Sequence, residues 1–243
     1  AKTDQKSYLD KLKELAKYSG KRQTVGLTEE VLKSFLEVDP HLGEAINEAH
    51  KIHRQLREDY SDILQLDEEK QIKVLQEDYV NFYSKNKINP YVAIAAKGPW
   101  LVTSCGAVVH DSGGYGMLGL GYNPDNVTEA LSRNQVMANV MTANFSQKKF
   151  SALIQKEVGR KRSPTKRRPF EKFLCLNSGS EAVTMAARIS DIHARNQTKS
   201  GGKHEGKKIK FLALKGAFHG RTDRPAQFSD SSLGTYKKVL ASF

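Results

Sequence analysis

Residues 173–182 read FLCLNSGSEA and residues 183–195 continue VTMAARISDIHAR. A short apolar run stops at Asn177, a tiny polar turn follows, and a helical pattern begins at once. After that helix comes a basic loop and a second apolar run, IKFLAL, at residues 209–214. The predicted elements are a strand over 172–176, a helix from Glu181 to about Arg195, and a strand over 209–214. Strand, helix and strand in that order make one βαβ unit, so the predicted fold class is α/β with a parallel sheet.

The turn from Asn177 to Ser180 lies at the carboxyl end of the first predicted strand and at the amino end of the helix. Ligands of open α/β sheets bind beyond the carboxyl ends of strands. A helix amino end presents unpaired N–H groups and a positive dipole, which suits a phosphate. Gly179 lets the backbone come close, and the Ser180 hydroxyl adds a donor. Taken alone, the turn reads first as an N-cap without a ligand, with Ser178 or Ser180 capping and Glu181 favoured in the first turn. The second strand shifts that balance, because it runs into LKGAFHGRT (214–222) and puts Phe218, His219 and Gly220 at a neighbouring strand end. A phosphate cradle beside an aromatic ring fits a flat, phosphorylated heteroaromatic cofactor, and pyridoxal phosphate is such a group.

The bulk of the sequence narrows the alternatives. Its 243 residues suffice for one or two domains with a sizeable core. Net charge is +12, from 39 Lys and Arg against 27 Asp and Glu. Much of the excess lies in 156–172 and 199–210, which have no helical or strand period and read as solvated loops. They lack base-stacking aromatics apart from Phe170, so nucleic-acid binding is a distant alternative. Cys105 and Cys175 have neither zinc-site nor disulfide-framework spacing, so no metal is expected and a reducing cytoplasm is the expected location. No apolar run reaches the length of a membrane span.

Upstream, the first 85 residues read as helices. Tyr8, Leu9, Leu12, Leu15 and Ala16 share a face, Thr28 caps a helix to about Glu37, and a longer helix covers residues 45–60. Asp67 caps another, with Ile72, Leu75, Tyr79 and Phe82 as its stripe. His50 and His53 are three apart with no further ligand in view and read as solvated. From residue 88, WLVTS and AVVHD flank Cys105-Gly106 as a β-hairpin, with Trp100 packing it. The run from Gly114 to Gly119 matches GxGxxG, but its helix starts only after Pro124, so a dinucleotide fold is declined. A helix is expected from Phe150 to about Val158.

The pair LNSGSEAVTMAARISDIHAR and GAFHGRT, with the entry segment WLVTSCGAVVHDSGGYGMLGLGYNP, resembles the class III pyridoxal-phosphate (PLP)-dependent aminotransferases over about residues 88–228. The resemblance implies fold type I, here the start of a three-layer αβα large domain with part of a small α+β domain. It divides the chain into a helical N-terminal extension (1–87), the beginning of the small domain (88–148) and the start of the large PLP-binding domain (149–243). It implies that Gly179 and Ser180 bind the cofactor phosphate with Ser178 shaping the turn, and that Phe218 stacks on the pyridine ring. His219 lies beside that ring, as a contact or as packing support. Tyr115 either faces the substrate or fills the small-domain core. The activity implied moves an amino group from an amino acid or amine to a keto acid or aldehyde in a cytoplasmic homodimer. An aminomutase, racemase or decarboxylase of the same class is the alternative, because these motifs hold the cofactor without choosing the reaction.

The sequence departs from that pattern in two places. The turn Gly121-Tyr122-Asn123-Pro124 is one residue short of the usual Gly-His-x-x-Pro, and Asp223-Arg224-Pro225 is an unfamiliar continuation. Lys215 reads as a surface lysine, so the Schiff-base lysine and the aspartate that pairs with the pyridine nitrogen are expected beyond Phe243. The chain is therefore expected to be the N-terminal part of a longer polypeptide.

Overall fold

The computed structural model describes residues 2–80, 88–112, 119–134, 136, 141–158 and 170–239. They form two compact units, Ala1–Gln135 and Val136–Phe243. The first holds helices α1 (Lys2–Tyr18), α2 (Glu29–Val38), α3 (Pro40–Asp59), α4 (Ser61–Leu64) and α5 (Glu68–Leu75), then strands β1 (Ala93–Lys97), β2 (Trp100–Thr103) and β3 (Val108–His110), then α6 (Asp125–Ser132). The second holds α7 (Phe145–Val158), α8 (Gly179–Thr198), α9 (Asp223–Phe228) and α10 (Asp230–Val239).

The first unit is helices packed on a small antiparallel sheet of order β1-β2-β3. The expected hairpin is present, with Leu101 opposite Val109 and Val102 opposite Val108. Its turn requires Gly106, whose φ is +72° and whose missing Cβ would stand 2.4 Å from the Leu12 carbonyl oxygen of α1. The third strand, β1, has no counterpart in the sequence reading. It is AIAAK, and alanine carries little strand preference, so only pairing with β2 makes it a strand.

α3 packs on β1 and β2 and against α1. Its small residues Ala45 and Ala49 are fully buried beside Leu42 and Ile46, and Leu9, Leu12 and Leu15 of α1 close the core over Trp100, Val102 and Val108. Asp39 joins the layers. One carboxylate oxygen accepts from the His41 N–H at 3.0 Å and so caps α3; the other accepts from Trp100 Nε1 at 2.7 Å. Trp100 sits between Phe35 and His110, with ring centres at 4.8 and 4.9 Å, which confirms it as a packing residue.

Several expectations need correction. Asp67 makes no side-chain cap; its carboxylate accepts from the Lys21 N–H instead. α5 stops at Leu75, and its buried side is Glu68 and Gln71, while Leu75 and Tyr79 are exposed and Phe82 lies outside the described residues. Polar residues face inward there because their polar atoms, Glu68 Oε1 excepted, have partners. Glu68 accepts from the Gln23 and Thr24 N–H groups at 2.7 Å, and Gln71 bonds the Leu64 and Leu66 carbonyls and the Ser104 hydroxyl.

His53 is fully buried rather than solvated. Arg57 Nε donates to its Nδ1 at 3.2 Å, and Tyr18 meets the ring edge-on. His50 instead bonds Glu14 at 2.8 Å.

The parallel βαβ unit is not formed among the described residues. Residues 172–176 and 207–214 carry no ladder, and Leu174, Phe211, Leu212 and Leu214 are exposed. A parallel strand needs neighbours and cover on both faces, which two short segments cannot give each other. The helix between them is present and longer than expected, as is α7.

Burial, aided by the Arg57 charge, pushes the His53 imidazole down to about 4 from 6.5. The unfolded chain takes up that proton near pH 6.5 and the folded chain only near pH 4. Stability therefore falls as pH drops through this window, by on the order of 1 kcal/mol per pH unit. Urea unfolding between pH 7 and pH 4.5 should show a steeper loss in the wild type than in His53→Phe; parallel curves would remove His53 as the cause.

Candidate functional site

The second unit brings the two sequence motifs together. α8 begins at Gly179 with Ser178 as N-cap, at φ −145° and ψ 157°. The Ser178 hydroxyl accepts from the Glu181 N–H at 3.2 Å, and Glu181 Oε2 accepts from the Ser178 N–H at 3.0 Å, a complete capping box. Ser178 is thus spent on the cap. Gly179 is different: a Cβ there would meet nothing within 4 Å, so space is open in front of the helix end. The N–H groups of Gly179 and Ser180 have no acceptor among the described residues, as the first turn of a helix leaves them. The Glu181 carboxylate at the same end opposes an added anion.

Residues 216–222 come back to this helix end. The Arg221 N–H donates to Ser180 Oγ at 3.4 Å. Gly220 has φ +119°, and a Cβ on it would lie 2.3 Å from Ser180 Oγ and 3.0 Å from Ser180 Cα. Only a glycine permits that approach. Phe218 stands two residues from the contact and is 57% exposed, and the Arg221 guanidinium lies 5.5 Å from its ring centre. His219 is half-buried, and its N–H is held by Ser229 Oγ at 2.8 Å. Lys215 is exposed.

The structure thus gathers Ser178, Gly179, Ser180, Phe218 and His219 into one neighbourhood. Tyr115 lies outside the described residues. The short turn at Gly121 sits in the first unit. There Tyr122 pairs with Gly98 as an isolated bridge and donates to Asp111 Oδ2 at 2.6 Å, which with burial pushes its phenol up to about 12. Tyr122, His41, Gly98, His110 and Asp111 line a cleft of about 400 Å³. Among the described residues no group of three or more His, Cys, Asp or Glu is placed to hold a metal.

Three features escaped the sequence reading: the buried Ser229, the Asp191–Arg224 ion pair joining α8 to α9, and Arg221 over Phe218. The only signal for Ser229 was its place in Ser-Asp-Ser before a helix, a pattern that ordinarily means a cap.

A PLP phosphate and ring fit this arrangement: open space and unengaged N–H groups at a helix end, with an exposed aromatic face beside them. Comparison with known proteins bears on the same region. The profile of the family described as aminotransferase class-III matches residues 82–241. A curated relative, the [LysW]-aminoadipate semialdehyde/glutamate semialdehyde transaminase of Sulfurisphaera tokodaii (strain DSM 16993 / JCM 10545 / NBRC 100140 / 7), is 37% identical over 109 residues. That stretch is 45% of this chain and 24% of the relative, so the chain spans about a quarter of the relative's length. No solved structure matches.

The two glycines should respond unequally to a methyl group. Gly220→Ala forces Ser180 and residue 220 apart at a strained φ and is expected to lower stability by about 2 kcal/mol. Gly179→Ala, with open space for its Cβ, should change it by less than about 0.5 kcal/mol. Urea midpoints of the two variants check this; equal effects would mean that the Gly220–Ser180 approach is not maintained.

Proposed function

The chain belongs to the class-III aminotransferase family, and on that premise we propose that it supplies the cofactor phosphate and ring sites of a PLP-dependent aminotransferase. The observation that carries the reading is the contact between Ser180 and Gly220–Arg221, which unites the two motifs at one helix end. Class III members are PLP-dependent as a family. Bound there, PLP supplies an electron sink for breaking a C–H bond next to the transferred amino group.

This chain's residues bind and orient. The Gly179 and Ser180 N–H groups and the α8 dipole receive the phosphate. Ser180 Oγ accepts from Arg221 and so keeps its own hydrogen free to point at a phosphate oxygen. Phe218 presents a flat apolar face to the ring, which holds the bond to be broken in line with the π-system. His219 supports that face through its tethered backbone. Tyr115 is proposed on the substrate side.

The site belongs in a fold type I enzyme divided as the resemblance implies, with an N-terminal helical extension over 1–87, the small domain beginning in 88–148 and the large domain beginning in 149–243. We place the lysine that bonds the cofactor outside these 243 residues and expect a homodimer in the cytoplasm. The relative's name contains two semialdehydes, so an aldehyde acceptor is the first to test in the whole enzyme, with an amino acid or amine as donor.

Titration of the chain with PLP tests the site. Phe218→Ala should weaken binding about fivefold, in line with about 1 kcal/mol for a lost stack, and Gly179→Ala should weaken it by filling the cradle. Binding unaffected by both variants would place the cofactor elsewhere. Borohydride reduction of the PLP-treated chain followed by intact mass tests the lysine. No stoichiometric adduct is expected, and a single modified lysine within the chain would overturn that part of the reading.

A further inference from the structure

Residues 216–220, which carry Phe218 and His219, are held from one side by the junction of α9 and α10. Ser229 at that junction is fully buried. Its Oγ accepts from the His219 N–H at 2.8 Å, and its single hydrogen is shared between the carbonyl oxygens of Gly220 and Pro225, each 2.9 Å away. The adjoining Asp230 accepts the Gly216 N–H on Oδ2 at 2.6 Å, and the Ser231 N–H donates to the Ala217 carbonyl at 3.3 Å. Three consecutive residues therefore grip the segment on both sides of Phe218, whose own ring stays exposed. A small side chain that accepts and donates at once is required at position 229, because an alanine there leaves the part-buried His219 N–H without its acceptor.

We propose that Ser229 and Asp230 are positioning residues that set the distance between the ring platform at Phe218 and the phosphate cradle at Ser180. The proposal rests on the cofactor reading given above. PLP joins its phosphate to its ring by a single short CH2–O link, so gripping both narrows the spacing between two subsites on different chain segments. Ser180 is fixed by α8. Phe218 lies in a segment without a ladder, and the Ser229–Ser231 grip supplies the rigidity that a strand would otherwise give. A loosened platform still leaves the phosphate cradle, so ring and phosphate affinity separate.

The test uses the full chain and four variants: Ser229→Ala, Ser229→Thr, Asp230→Ala and Asp230→Asn. Amide exchange over 216–220 is measured without ligand, and affinities are measured for PLP and for inorganic phosphate. The induced circular dichroism of bound PLP reports ring orientation. The two alanine variants should speed exchange over 216–220 about tenfold. Ser229→Ala should also weaken PLP about tenfold, since a bond shielded from water is lost, and Asp230→Ala should weaken it about threefold, since its bond to Gly216 is exposed; both should alter the dichroism, while phosphate affinity stays within about twofold. Asp230→Asn keeps an acceptor for Gly216 and should restore wild-type behaviour, as should Ser229→Thr if its methyl is accommodated. If Ser229→Ala does not fold, the Asp230 pair decides the matter. Unchanged exchange would overturn the grip itself. Faster exchange with unaltered PLP affinity and dichroism would reduce it to a structural role, and parallel loss of phosphate and PLP would deny any specific effect on the ring. A wild-type chain that binds neither ligand would overturn the cofactor reading and the positioning role with it, whatever the exchange data show.

Discussion

The candidate site depends on how closely one backbone approaches one hydroxyl. Gly220 passes Ser180 so tightly that a single methyl group would collide with Oγ, and the Arg221 N–H then turns onto that oxygen. This contact joins segments about forty residues apart in sequence. Without it, Ser178 to Ser180 would be an ordinary helix start, complete with a capping box, and Phe218 an ordinary exposed aromatic. With it, the unengaged N–H groups of a helix end and a flat apolar face share one neighbourhood. The Asp191–Arg224 pair and the bonds at Ser229 and Asp230 secure the same approach from α8 and from the α9–α10 junction.

The first unit solves a different problem with comparable means. It must attach several amphipathic helices to a sheet of three short strands. Asp39 does this with two oxygens, one capping α3 and one accepting from the buried Trp100. The strands are too short to be stable by themselves, and the helices carry only one apolar face each, so neither layer stands without the other. Helices α1, α2 and α3 and the hairpin therefore share one core, although the class-III family match begins only at residue 82.

Legibility in the sequence followed the range of the forces involved. The cap at Thr28, the hairpin about Cys105-Gly106 and α8 with its serine cap were readable because each is decided within a few residues. The buried His53 was not, because the ring that covers it, Tyr18, comes from a different helix, while only Arg57 is a neighbour one turn on. Nor was the inward face of α5, where Glu68 is buried against backbone N–H groups some forty-five residues away and Gln71 against the Leu64 carbonyl, while Leu75 and Tyr79 are exposed. The strands expected at 172–176 and 209–214 have the right composition. Composition makes a strand only when neighbours supply hydrogen bonds and cover, as β1 shows from the opposite side: a poor strand sequence paired by β2.

By itself the sequence determined which residues are chemically suited to the site: a glycine and serines at a helix start, and Phe-His-Gly-Arg-Thr some forty residues on. These are matters of residue type and spacing, and they carry the family membership. Only the tertiary structure decided which of those residues cap, which face open space and which meet. Ser178 is consumed by Glu181, Gly179 is left open, and Ser180 is joined to Gly220. Only the structure brought in Ser229, whose two bonds to residues 219 and 220 require a chain reversal that no local pattern encodes. The physical reason is the same in each case: a polar group's partner is set by packing, and packing is a property of the whole chain.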